Sequence, residues 1–235
     1  MDRFYLTENI YILNENMYHN KIKITNNNWH TFLNEYGWEK MSLKWVKKLN
    51  KLTTNKNKNS RYGLFDCPPD GNCLFHCISY SLNEKNKSEI LNYKDIRNII
   101  AESITEKQYN IIMDYYKIMK DADDFDENWD PYEITNIDEF KRKLRESTTN
   151  YWGDYLLLTF ITENLKLNII ILNDQEYNLY NTLIRYNKDY DSIFLLYIDE
   201  NHFNLIGYFE QQMKSCFKHD EIPEAFSKLI NDFHL

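Results

Sequence analysis

The chain is poor in the residues that interrupt regular structure and in the residue that crosslinks it. Its 235 residues include only five glycines, four prolines and four cysteines. Four cysteines in a chain of this size do not make a disulfide framework, so we expect free thiols and a reducing compartment such as the cytoplasm. Because glycine is so scarce, we expect Gly71, Gly153 and Gly207 each to meet a requirement of the backbone.

The chain also lacks excess basic charge and long apolar runs. Its 28 lysines and arginines face 36 acids, which gives a formal net charge of -8. This balance argues against a nucleic-acid partner, because nucleic acids favour basic surfaces. No apolar run approaches the roughly 18 residues of a membrane span, and residues 1–5 lack the apolar core of a signal peptide. We therefore expect a cytoplasmic protein with no nucleic-acid and no membrane partner.

Residues 66–76, DCPPDGNCLFH, have the order that a nucleophilic cysteine needs. Two prolines fix the direction of the chain, and Gly71 permits a tight turn with positive φ. Cys73 then opens an apolar segment that we expect to be a helix, whose free N–H groups and dipole favour a thiolate. The backbone N–H groups of Asp70, Gly71, Asn72 and Cys73 are candidates for the oxyanion hole.

The best candidate for the base lies far downstream. Two runs rich in β-branched and aromatic residues, within 192–209, flank an Asp-Glu-Asn turn and predict a β-hairpin. His202 opens the second strand of this hairpin. Asn204 lies two residues further on, so both side chains point to the same face of the strand. Asn204 can then bind one imidazole nitrogen and leave the other for the thiol, as in Cys-His-Asn proteases.

Three segments together resemble the ovarian tumour (OTU) family of cysteine deubiquitinases. Residues 70–75, DGNCLF, resemble its nucleophile motif, and residues 201–204, NHFN, are similar to its histidine motif. Residues 151–154, YWGD, look like its Trp-Gly element, which a predicted helix over 155–165 and a strand over 167–172 follow in the family's order. The resemblance covers about residues 62–209.

The resemblance implies an α/β (α+β) fold, with a small central β-sheet flanked by helices, and a site that needs no metal and no cofactor. It implies hydrolysis of isopeptide or peptide bonds at the C-terminal glycine of ubiquitin, so the expected partners are ubiquitin, polyubiquitin chains or ubiquitin-like modifiers. The family counts the aspartate of its nucleophile motif among the active-site residues. Asp70 and Asn204 are therefore alternative partners for His202.

The resemblance also implies substrate contacts. In the family, the segment between the nucleophile helix and the Trp-Gly element commonly meets ubiquitin, which makes Phe125 and Trp129 candidates. Trp152, Gly153 and Phe203 are further candidates. The plainer interpretation is that the acidic run at 121–130 is a solvated loop and that the tryptophan of the Trp-Gly element packs beside the cleft.

Two other functions remain open. The chain could be a catalytically weak OTU-fold module that binds ubiquitin, or a viral or parasite peptidase that acts on a polyprotein. We expect three regions: an N-terminal extension and linker over 1–60, a catalytic domain over 61–210 and a helical tail over 211–235. In the extension we expect strands at 9–13 and 21–24 and a helix over 38–52.

Overall fold

The computed structural model describes residues 3–54, 60–85, 90–125, 128–147, 151, 155–179, 186–199 and 202–232. In these residues the chain forms β-strands and α-helices. The strands are β1 (Phe4–Tyr5), β2 (Ile10–Leu13), β3 (Asn16–His19), β4 (Ile22–Lys23), β5 (Trp38–Lys40), β6 (Tyr62–Phe65), β7 (Leu167–Asn173), β8 (Asn178–Leu179), β9 (Asp191–Ile198), β10 (His202–Phe209), β11 (Met213–Lys214) and β12 (Cys216–Phe217). The helices are α1 (Trp29–Phe32), α2 (Leu43–Leu52), α3 (Cys73–Lys85), α4 (Tyr93–Ser103), α5 (Glu106–Asp121), α6 (Ile137–Arg145), α7 (Tyr155–Leu165) and α8 (Glu224–Asp232).

The strands form two sheets. The first four make a small antiparallel sheet in sequence order, and the larger sheet has the order β5-β6-β10-β9-β7-β8, with β11 beside β10 and β12 beside β9. The predicted hairpin is confirmed, because β9 and β10 pair antiparallel with His202 opposite Ile198. β7 pairs with β9 in parallel. The larger sheet is therefore mixed, and the predicted α/β class is confirmed.

Strand β7 shows why helices cover both faces of the larger sheet. Every residue from Leu167 to Leu172 is buried, and a strand buried on both faces is expected to be continuously apolar. Ile169 and Ile171 pack into the apolar cluster that includes α3, α4 and α5. Ile170 and Leu172 pack into the opposite cluster, which includes α2 and α8. The two apolar clusters thus pack against opposite faces of the larger sheet.

The N-terminal region contributes to both this sheet and its core. β5 pairs with β6, and the buried side chains of α2 lie in the same cluster as those of α8. The predicted helix over 38–52 is wrong at its start, since Trp38 lies in a strand. The helix begins only after Ser42, whose side chain accepts a hydrogen bond from the Trp45 N–H and so caps the first turn. The predicted boundary at residue 60 stays a prediction.

The helices around the nucleophile segment begin where their capping residues lie. Asn92 and Thr105 form capping boxes at the starts of α4 and α5, and Asn136 caps α6. Helix α8 follows directly after Pro223. Among the helices formed by described residues, none is both long and apolar enough to cross a membrane.

Candidate active site

Cys73 is the first residue of α3, as the sequence predicts. The turn before it depends on Gly71, which has a φ of +80°, in the left-handed region that glycine tolerates best. Asp70 closes the turn, because its Oδ1 accepts a hydrogen bond from the Asn72 N–H at 2.9 Å. The Asn72 amide therefore already has a partner in this structure. That the amides of Asp70, Gly71, Asn72 and Cys73 bind the oxyanion stays a prediction.

The side chain of Arg97, on α4, holds this turn in place through hydrogen bonds. It is fully buried, and its Nε donates to Asn72 Oδ1 at 2.8 Å while one terminal nitrogen donates to the Gly71 carbonyl at 3.2 Å. The same guanidinium donates to the carbonyls of Leu144 at 3.0 Å and Tyr151 at 2.9 Å. The role of Arg97 was not predicted from the sequence. The one sequence signal was the position of this cation between Ile96 and Ile100, on the face of the helix that should be buried.

The environment of the Cys73 thiol differs from the expectation of a ready thiolate. The side chain is only 7% exposed. Burial raises the pKa of Cys73, and hydrogen bonds with the backbone of Phe203 and Leu74 lower it only in part. The helix start is present, but desolvation of the charged form outweighs it. Burial in this structure therefore opposes the thiolate that the helix start was expected to favour.

Asn204 orients the imidazole of His202. The distance from His202 Nε2 to Asn204 Oδ1 is 3.0 Å, and the same oxygen accepts the Cys67 N–H at 3.1 Å. A backbone N–H is always a donor, so the Asn204 atom that faces it must be the oxygen. His202 Nε2 must then carry the proton, which leaves the lone pair on Nδ1. The geometry thus fixes the tautomer that a base toward the thiol requires.

Strand β10 carries the His202 imidazole and also contacts the Cys73 thiol. The backbone of Phe203 contacts the Cys73 thiol, and His202 immediately precedes Phe203. Within the described part of the chain, no hydrogen bond joins the Cys73 sulfur to the imidazole. Catalytic hydrogen bonds are often long before substrate binds and tighten in the complex.

Asp70 faces a different histidine. Its Oδ2 lies 3.1 Å from His76 Nε2, and the His76 ring packs against Tyr93. Burial acts to raise the pKa of Asp70, but the hydrogen bonds from His76 and the Asn72 amide outweigh it and lower the pKa. In this structure Asn204 therefore contacts His202, and Asp70 contacts His76. That Asn204 supports the base in catalysis stays a prediction.

The candidate substrate contacts have mixed surroundings. Trp152 and Gly153 lie outside the described residues. Phe125 and Trp129 are partly buried and pack against each other, with ring centroids 5.1 Å apart. Phe203 is half-buried and packs against Tyr197. Contact with a substrate stays a prediction for all five.

A cysteine at the start of a helix, with a histidine bound to an asparagine on the neighbouring strand, is the set of groups that a cysteine protease uses. The family model described as OTU-like cysteine protease matches residues 68–212, more than half of the chain. The chain belongs to this family. No curated protein sequence matches it.

Several solved structures are similar to the chain at low identity. An OTU domain in complex with ubiquitin is 15% identical and covers 74% of this chain and 83% of that chain, with a TM-score of 0.46. An OTU deubiquitinase from Wolbachia pipientis wMel is 12% identical, over 72% of this chain and 96% of that chain, with a TM-score of 0.42. The viral OTU domain protease from Dera Ghazi Khan virus is 16% identical, over 66% and 82%, with a TM-score of 0.37.

Proposed function

We propose that the chain is a deubiquitinase, which hydrolyses isopeptide or peptide bonds at the C-terminal glycine of ubiquitin or of a ubiquitin-like modifier. The family supports this proposal, and members of similar fold are described as deubiquitinases or as bound to ubiquitin. The observation that carries the chemistry is the double use of Asn204 Oδ1, which fixes His202 as a base through Nδ1.

The mechanism starts from a protonated thiol. As Cys73 attacks the carbonyl carbon of the terminal glycine, His202 Nδ1 takes the thiol proton, so the thiolate forms only as the new bond forms. The candidate amides of Gly71 and Cys73 stabilise the oxyanion. The imidazolium then gives its proton to the departing lysine amine. A water activated by the same imidazole cleaves the thioester and frees the modifier.

The four free cysteines support action in a reducing compartment. We therefore place the activity in the cytoplasm, and in the cytoplasm of a host cell if the chain is viral. The asparagine-rich composition fits a large DNA virus, a parasite or an insect-associated microbe equally well.

Turnover of a ubiquitin C-terminal reporter tests the proposal. We expect Cys73→Ala and His202→Ala to abolish turnover and to leave binding of ubiquitin largely intact. Cys216→Ala is the matched control, since Cys216 lies on β12. We expect this variant to hydrolyse the reporter like the wild type. Full activity in Cys73→Ala would end the proposal.

The burial of the Cys73 thiol, which raises its pKa, favours one alternative, a weakly catalytic module that binds ubiquitin. A ubiquitin probe with a C-terminal electrophile separates the two. A deubiquitinase forms a covalent adduct at Cys73, whereas a binding module retains ubiquitin without an adduct. A panel of di-ubiquitins and modifier probes, run with the wild type beside Cys73→Ala, then gives the linkage preference.

A further inference from the structure

Two cysteines outside the proposed chemistry lie in contact next to the nucleophile. The sulfur atoms of Cys67 and Cys77 are 3.3 Å apart, and both side chains are buried, with 1% and 0% exposure. A disulfide bond measures about 2.05 Å, so the two sulfurs need to approach by only a little over an ångström. Cys67 lies in the loop that leads to Cys73, and Cys77 lies one helical turn after it.

Both cysteines are also tied to the strand that carries the base. The Cys67 N–H donates to Asn204 Oδ1 at 3.1 Å, the oxygen that orients His202. The Cys77 thiol contacts the carbonyl oxygen of Phe203 at 3.6 Å. A bond between the two sulfurs would therefore displace groups that contact β10 at Phe203 and Asn204, the two residues that directly follow His202.

We propose that Cys67 and Cys77 are a modification site, at which a peroxide forms a reversible disulfide that displaces His202 from its catalytic position. The disulfide itself is independent of the proposed function. Only its consequence for turnover rests on that function.

The oxidation balances with one hydrogen peroxide. One thiolate attacks a peroxide oxygen, the O–O bond breaks, and hydroxide leaves and takes up a proton, which forms a sulfenic acid and water. The second thiolate attacks that sulfur, the S–O bond breaks, and the oxygen leaves as a second water. The two thiols together lose two protons and two electrons. Hydrogen peroxide is little larger than water, so small opening motions of the loop admit it.

The fourth cysteine is a control that the fold provides. Cys216 lies near Glu84 and Lys85, at the opposite end of α3 from Cys73. It is therefore too remote to bridge Cys67 or Cys77 in the folded chain, and its oxidation reports only on general reactivity.

The test uses the full-length Cys73→Ala variant, in which the nucleophile cannot react. After hydrogen peroxide, we expect the loss of two thiols, a mass lower by two hydrogens, and a peptide that links Cys67 to Cys77. Dithiothreitol should restore both thiols. Adding Cys77→Ala should abolish the bridge and adding Cys216→Ala should not, with Cys67→Ser as the second variant if the first fails to fold. A bridge to Cys216, or no bridge while the chain stays folded, overturns the proposal.

The second readout follows His202. In Cys73→Ala, oxidation should shift the NMR signals of the His202 ring and leave those of His30, in α1, unchanged. In the variant that also carries Cys77→Ala, neither ring should respond. A bridge that forms without any shift at His202 would overturn the displacement of the base. Neither readout measures turnover, so these results do not depend on whether the chain is a deubiquitinase.

Discussion

The guanidinium of Arg97, on helix α4, donates a hydrogen bond to the side chain of Asn72, the residue immediately before Cys73. Their 2.8 Å hydrogen bond connects a fully buried cation to the turn that sets the direction of Cys73. Arg97 also lies over the Phe75 ring, 3.9 Å from its centroid. The position of the nucleophile therefore depends on a side chain that has no part in the chemistry.

Replacing Arg97 should destabilise the fold and disorder the site together. Arg97→Ala leaves Asn72 and several buried carbonyl oxygens without this donor, which costs about 3 kcal/mol or more in the free energy of unfolding. Arg97→Lys should also lose activity, because an ammonium cannot reproduce the planar fork of a guanidinium. Urea unfolding and reporter turnover measure the two effects. Arg142→Ala, at an exposed position of α6, is the matched control and should change neither.

Replacing Asn204 should reduce turnover without removing the nucleophile. Asn204→Ala removes the partner of His202 Nε2, and the loss of about 1 to 3 kcal/mol corresponds to a roughly 5- to 150-fold lower kcat. Asp70→Asn should lose less, because it faces His76 and keeps an acceptor for the Asn72 amide. An equal loss in both variants would contradict the assignment of Asn204 to His202.

The charge of the partner at position 204 should appear in the pH dependence. In Asn204→Asp, the new carboxylate stabilises the imidazolium and so holds the proton that the base must lose. The acidic limb of the pH profile of kcat/KM should then move to higher pH than in the wild type. A limb that stays in place would show that residue 204 does not contact the base during catalysis.

Glu84 gives the fold a pH dependence of its own. Burial raises the pKa of Glu84 to about 7, against the hydrogen bonds that its carboxylate accepts from Ser215. The native state therefore binds a proton that the unfolded state releases from about pH 4.5 upward, so stability falls as pH rises from about 4.5 to 7. Glu84→Gln should be about 2 to 3 kcal/mol more stable than the wild type at pH 8 and nearly equal at pH 4.

Urea unfolding at the two pH values measures this difference. Glu39→Gln is the control, because Glu39 is exposed and its replacement should not change the slope with pH. If the stability of Glu84→Gln and of the wild type differ by the same amount at both pH values, the buried carboxyl is not the cause.

Gly207 should tolerate no side chain. A Cβ at this position would lie 2.5 Å from two ring carbons of Trp38 and 2.8 Å from the Met213 sulfur. Gly207→Ala should therefore destabilise the fold by about 1 to 3 kcal/mol, as thermal unfolding will show. Trp38→Phe removes the clashing ring atoms, so the double variant should lose less than the sum of the two single variants. If the losses in the free energy of unfolding are additive, the strain does not come from a contact between residue 207 and Trp38.

The parts of the site that were predictable from sequence are those that depend on neighbours in the chain. The positive φ of Gly71, the start of α3 at Cys73, and the shared face of His202 and Asn204 all follow from local geometry. The choice between Asn204 and Asp70 was not predictable, because it depends on which ring each side chain meets across the fold.

Other features escaped prediction for the same reason. The role of Arg97 requires α4 to lie beneath the nucleophile turn. The raised pKa of Cys73 comes from burial in the folded chain, which the local signal of a helix start does not report. Trp38 has helical spacing with Trp45, yet pairing between β5 and β6 places it in a strand, since tertiary contacts override local periodicity.

The order of strands in the larger sheet also bears on synthesis. β6 lies between β5 and β10, so this strand completes its pairing only with one that is made more than a hundred residues later. His202 is translated 129 residues after Cys73, which takes about 6 to 26 seconds at roughly 5 to 20 residues per second. Throughout that interval the nascent polypeptide carries Cys73 without His202, so the two can meet only after β10 has been made and has joined the sheet.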